Sequence, residues 1–162
     1  MSSNIPTVRQ IAWISLIPQF IFMGLLVLLW YGLEAGNPLF GGALTYLAIS
    51  FSLRNFIPTD HKTGMTLVRQ EKFHEAIPYF ENSYKFFKKY DWLDRYRYLT
   101  ILSSSSMSYK EMALNNIAFC YGQVGDGIKS KEYYEKTLQE FPDSGMAKAG
   151  LRFLNSVDKP AT

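Results

Sequence analysis

Cysteine is nearly missing from this chain, with one residue, Cys120, in 162. A lone thiol excludes an internal disulfide framework. Its place on the apolar side of a helical pattern marks it as a small core residue and not a nucleophile. Histidine is almost as scarce. His61 and His74 stand alone, without cysteine or a second histidine at metal-ligand spacing, and are expected at the surface. Gly122, Gly125 and Gly127 follow a helical pattern instead of a strand, and no Gly-Lys-Ser/Thr closes the run, so a phosphate loop is excluded. Ser103–Ser106 lack the flanking glycines of a nucleophile elbow. The net charge of +3 is too small to point to nucleic acid. No constellation of catalytic or metal-binding residues emerges. The sequence therefore predicts neither an enzyme nor a bound metal or cofactor, and no nucleic-acid partner.

Charge, too, is missing from one region. Between Ile11 and Trp30 there is no Asp, Glu, Lys or Arg. As a helix this run is about 30 Å long, enough for a hydrocarbon core. Trp13 lies near one end, Trp30 and Tyr31 near the other, as interfacial aromatics do. Within it, Pro18 is placed to kink the helix and Gln19 to hydrogen-bond a neighbouring one. A secretory signal peptide fits less well. The apolar core is too long for one, and Leu33-Glu34-Ala35 makes a poor cleavage site.

A second uncharged run covers Leu39–Leu53, about 22 Å of helix, or about 28 Å if continued through Arg54 to Ile57. Arg54 could then extend its guanidinium to the headgroups. Gly41, Thr45 and Ala48 offer a small-residue face for close packing on the first run. A buried or re-entrant segment is the alternative. Residues 33–38, rich in helix breakers, form the connecting turn. The reading is a membrane anchor over 1–57 with two spans, about 10–32 and 39–56. The connecting turn has no Lys or Arg, whereas Arg9 precedes the first span and Arg54, Lys62, Arg69 and Lys72 follow the second. The charge bias puts both termini in the cytoplasm of a plasma or inner membrane.

From Pro58 the character changes to that of a helical soluble domain. Ala113, Ile117, Cys120 and Tyr121 share one helical face. Val124-Gly125-Asp126-Gly127 interrupts it, Asp126 can cap the next helix, and Tyr133, Tyr134, Thr137, Leu138 and Phe141 form a second apolar face that Pro142 ends. This helix–turn–helix resembles a tetratricopeptide repeat. The residues that carry the resemblance are Asn116, Ala118, Tyr121, Ser130, Tyr134, Thr137 and Pro142, with Ser130 and Thr137 where the family usually has alanine. A second copy lies upstream. Tyr79-Phe80-Glu81-Asn82-Ser83-Tyr84 aligns with Tyr133–Leu138, Ala76 with Ser130, Gly64 with Ala118 and Leu67 with Tyr121. The copies are separated by roughly 20 residues more than the family's period.

Those additional residues include Tyr90–Leu102, where Trp92, Tyr96, Leu99 and Leu102 recur at helical spacing. They predict a further amphipathic helix or an extension of the one before it. Ser103–Ser106 mark a loop, and Ser108 with Glu111 forms a capping box. Lys85–Trp92 interleaves bases with aromatics. It suits a membrane surface, but ordinary helix packing with solvated lysines explains it as well. Asp143 or Ser144 opens a last helix, to about Ser156, that covers the end of the stack. The fold class expected is all-α: an N-terminal transmembrane hairpin, then a small tetratricopeptide-like array, a right-handed α-solenoid, over 58–157. An insertion covers about 91–110, and 158–162 form a tail.

The resemblance implies that the first helix of each copy lines a groove for a protein or peptide. By spacing, the groove candidates are His61, Met65, Val68 and Arg69 in one copy and Asn115, Phe119, Gly122 and Gln123 in the other. Phe119 replaces an Asn needed to clamp a terminal carboxylate. The expected function is that of a membrane-anchored adaptor or scaffold, its partners being a protein or peptide and, through the anchor, membrane lipid. The alternative is a small subunit or assembly factor of a membrane complex, with the hairpin as the main contact.

Overall fold

The structure, a computed structural model, describes residues 13–34 and 36–157. Arg9, residues 10–12 of the first run and the tail 158–162 lie outside them. Among the described residues the regular structure is helical, as expected. The α-helices are α1 (Leu16–Gly32), α2 (Pro38–Phe56), α3 (Thr59–Arg69), α4 (Phe73–Lys89), α5 (Asp91–Arg95), α6 (Arg97–Thr100), α7 (Tyr109–Gln123), α8 (Gly127–Glu140) and α9 (Gly145–Val157).

The chain divides into two compact units. One holds Met1–Ile57 and Arg95–Met107, and the other Pro58–Asp94 and Ser108–Thr162. Much of the segment read as an insertion therefore belongs with the N-terminal hairpin and not with the helices that flank it.

In the first unit, α1 and α2 pack as a hairpin. Asn37 starts α2, its Oδ1 accepting the amides of Leu39 at 3.1 Å and Phe40 at 3.2 Å. Pro38 follows at a position where a helix needs no amide hydrogen. The two helices meet across small residues. Gly41 lies under the Trp30 ring, and Gly42 lies against the backbone of Val27. Trp30 Nε1 donates to Thr45 Oγ1 at 3.0 Å, and that hydroxyl donates to the Gly41 carbonyl at 2.8 Å. Ala48, expected on this seam, is exposed. The buried residues of α2 are Gly41, Gly42 and Ser50; of the expected small-residue face, Gly41 and Thr45 meet α1 and Ala48 does not. Gln19 is buried and accepts from the Tyr46 hydroxyl of α2 at 3.3 Å, the interhelical bond its position suggested.

Residues 95–107 complete this unit. The expected long amphipathic helix is broken at Tyr96 into α5 and α6. α6 packs on α1, and Ile101 and Leu102 are fully buried. Arg54 Nε donates to the Leu102 carbonyl at 3.0 Å, and its Nη2 donates to the same oxygen. Two of the guanidinium nitrogens are thus engaged with the protein's own backbone. Arg97 closes the serine loop by donating to the Ser105 carbonyl at 3.0 Å.

In the second unit, α3, α4, α7, α8 and α9 pack each on the next. Both copies form a helix pair, and α9 covers the end. Ser108 begins α7, its hydroxyl accepting from the Glu111 amide at 3.1 Å. A second acceptor comes from α5. Buried Asp94 takes the Tyr109 amide at 2.7 Å and the Lys110 amide at 3.0 Å, two of the donors every helix start leaves open. Gly125 turns the chain at φ +84°, and Asp126 Oδ1 caps α8 by accepting from Lys129 N at 3.0 Å.

Candidate binding surfaces

The residues that carry the repeat pattern account for the packing of the second unit. Phe80 is fully buried with its ring against Gly64, where a Cβ would come within 2.8 Å. The equivalent ring, Tyr134, lies against Gly150 of α9. Ala76, Ser83, Ala118, Ser130 and Thr137 are all buried, the small positions between large rings. Ser130, where alanine was expected, donates to the Ala118 carbonyl at 2.8 Å, which satisfies its hydroxyl. Thr137 likewise donates to Tyr133 O at 2.8 Å. Tyr121 stacks on Tyr133 at 5.5 Å. The Tyr133 hydroxyl reaches Glu81 of α4 at 3.2 Å; burial and that carboxylate push its pKa up to about 12. Pro142 follows α8, as expected.

The eight groove candidates separate into two groups. His61, Val68 and Asn115 are buried, so they are not available to a partner. Met65 and Phe119 are half-buried, and Arg69 and Gln123 are exposed, as is Gly122. Asn116 stands in place of Asn115. Its side chain donates to Met65 Sδ at 3.4 Å, joining α7 to α3. The accessible row on α7 is Met112, Asn116, Phe119 and Gln123, one residue away from the expected register at its start. Phe119 also meets Phe73 edge-on at 5.9 Å, which leaves one side of the ring to solvent.

His61 is a correction to the surface reading of both histidines. Its ring lies edge-on to Phe80 and to Tyr109, each at 5.4 Å, and Nδ1 is 3.4 Å from Ser83 Oγ. Burial lowers its pKa to about 4, so it is neutral at ordinary pH. Cys120 is fully buried as expected, and burial pushes its thiol up to about 12. Asn115 donates to the Glu111 carbonyl at 3.0 Å and to Ser144 Oγ at 3.3 Å, tying α7 to the start of α9. All three side chains belong to the core of the second unit.

An open cavity of about 440 Å³ lies among the ends of α4, α7 and α8, lined by His74, Ile77, Pro78, Tyr121, Val124, Asp126 and Lys129. Asp126 is engaged as the α8 cap, and Lys129 lies over the Tyr121 ring at 5.1 Å. No group of acidic, cysteine and histidine side chains among the described residues could hold a metal ion.

The first unit presents a different surface. Ile17, Phe20, Ile21, Leu25, Leu28 and Leu29 of α1 are exposed, and so are Leu39, Phe40, Leu44, Leu47 and Phe51 of α2. The hairpin buries Gly41, Gly42 and Ser50 with Gln19 and Leu26 and turns most of its large apolar side chains outward, the reverse of a helix pair in water. No helix among the described residues is long and apolar enough to cross a membrane. α1 has 17 residues and α2 has 19.

The fold and these surfaces define a helical, repeat-like protein with an apolar helical hairpin. Comparison with known proteins adds no relative, because neither a family model, nor a curated protein, nor a solved structure matches the chain.

Proposed function

We propose that this chain is a membrane-seated adaptor: the hairpin holds it in a bilayer, and the second unit, a tetratricopeptide-like array, binds a protein or peptide partner at the cytoplasmic surface. The observation that carries the reading is the outward-facing row of large apolar side chains on α1 and α2. An apolar surface on that scale is unfavourable in water and favourable against acyl chains. At 1.5 Å per residue α1 is about 25 Å long, and the 3-10 turn Trp13–Ser15 precedes it. A hairpin of this length fits a hydrocarbon core that thins slightly around it.

For the second unit, the Gly64–Phe80 contact and the buried small positions Ala118, Ser130 and Thr137 support the repeat reading, as does the pairwise packing of successive helices. Accessible Met65, Arg69, Asn116, Phe119 and Gln123 lie on the first helices of the two pairs, where such arrays hold their ligands. Seating at a membrane raises the effective concentration of a partner that works there, so modest affinity suffices.

The test is affinity capture from mild detergent with the full chain and with Arg69→Glu/Phe119→Ala, identifying co-purifying proteins. A partner retained by the first and lost from the second is expected. A set of partners identical for both proteins would contradict the groove. Replacement of the hairpin by an unrelated one then separates an adaptor, which keeps its partner, from a subunit held in its complex through the hairpin.

A further inference from the structure

The segment 95–107 is the part of the chain that the repeat pattern does not absorb. It is fixed to one end of the hairpin: Arg54, in the last turn of α2, donates to the Leu102 carbonyl, α6 packs on α1, and Ile101 and Leu102 are buried. Two large side chains face outward from this fixed segment, Tyr96, 47% exposed, and Leu99, 48% exposed. The same unit also exposes Trp13, just ahead of α1, and Phe56, the last residue of α2.

The geometry points to residues 95–107 as an interfacial element that lies in the headgroup–acyl boundary of one leaflet, with Tyr96 and Leu99 in contact with lipid. The inference rests on the membrane-seated reading of the hairpin. Its occupant is the bilayer itself, for three reasons. The segment packs on α1 and is bonded to the last turn of α2, the end of the hairpin that exposes Trp13 and Phe56. Its composition is that of an interface: a tyrosine with an apolar body and a polar tip, a leucine, and a serine loop whose polar groups favour water. Its anchoring by Arg54 and the buried Ile101–Leu102 pair fixes its depth relative to the hairpin, so Leu99 does not have to be ordered on contact. An element of this kind enters a leaflet by about 5–10 Å. It would set how deeply the hairpin sits and stop it from sliding along the membrane normal.

The test places an environment-sensitive thiol fluorophore at one position at a time in the full chain, reconstituted in phosphatidylcholine vesicles. Fully buried Cys120 stays unlabelled. The positions are Leu99→Cys, Leu28→Cys on the exposed face of α1, and Ile128→Cys, at a residue 85% exposed in the second unit. At 99 the expected result is a blue-shifted emission, quenched more strongly by a nitroxide at the headgroup than by one near the acyl-chain end. At 28 the deep nitroxide should act on the probe, and at 128 neither should. A probe at 99 that behaves like the one at 128, while that at 28 is quenched by lipid, overturns the interfacial element and leaves the hairpin reading standing. No lipid quenching at 28 overturns both.

Discussion

Replacing His61 tests the core of the second unit through its pH dependence. The neutral ring is held between Phe80 and Tyr109 with a folded pKa of about 4, against 6.5 when exposed. The folded state therefore resists a proton that the unfolded chain accepts. The folded pKa is lowered, so the stability His61 confers is fully present above pH 6.5 and is lost as pH falls from there toward 4. Linkage over those two values gives a loss on the order of 1 kcal/mol at pH 5.5 and roughly 2–3 kcal/mol at pH 4.5, relative to pH 8. Urea unfolding of the full chain in a non-ionic detergent, followed by circular dichroism, measures it. Carboxylates titrate in the same range, so the quantity of interest is the difference between wild type and His61→Phe, with His61→Gln as a second variant. Wild type should lose more stability on acidification than either variant, by about these amounts. Equal pH dependence in all three would refute the argument and place His61 in contact with water.

Other perturbations reach separate parts of the account. Phe80→Ala empties the space against Gly64 and should cost about 3–5 kcal/mol in the same unfolding assay. Asp94→Ala strips the Tyr109 and Lys110 amides of their acceptor and should cost about 3 kcal/mol, with early hydrogen exchange at the start of α7. In the hairpin, a Cβ on Gly42 would lie 2.7 Å from Val27 Cα and 2.8 Å from its N, backbone atoms that cannot step aside. Gly42→Ala should lower hairpin stability in micelles by about 1–3 kcal/mol. Gly24→Ala, with nothing within 4 Å of the new methyl, should show no such loss. The Cys120 thiol, its pKa raised to about 12 by burial, should react with a thiol reagent at pH 7.5 only after denaturant is added.

The sequence was legible where local chemistry and tertiary packing agree. Ser108 with Glu111, Gly125-Asp126 and Pro142 each punctuate a helix by a mechanism that belongs to that residue, and α7 and α8 begin and end there. The small positions Gly64, Ala76, Ser83, Ala118, Ser130 and Thr137 were legible too, because rings between helices need residues without bulk beside them, but Gly150, which meets Tyr134, carried no signal. His61 and Asn115 were misplaced since a polar side chain can be buried once a neighbour accepts or donates, and those neighbours, Ser83 and Ser144, lie 22 and 29 residues away. Residues 95–107 were misjudged for the opposite reason. Trp92, Tyr96, Leu99 and Leu102 have helical spacing, yet the chain breaks at Tyr96, so Leu102 turns inward with Ile101 while Leu99 faces out. The Leu102 carbonyl is held by Arg54, 48 residues upstream, and periodicity carries no trace of that bond.

The central claim is that the outward apolar faces of α1 and α2 meet lipid. Flotation of the full chain with phosphatidylcholine vesicles in a density gradient, followed by alkaline carbonate extraction, tests it most directly. The chain should rise with the vesicles and stay with them at high pH. A chain that remains at the bottom of the gradient, and that light scattering without detergent shows to be a monomer, would contradict the account.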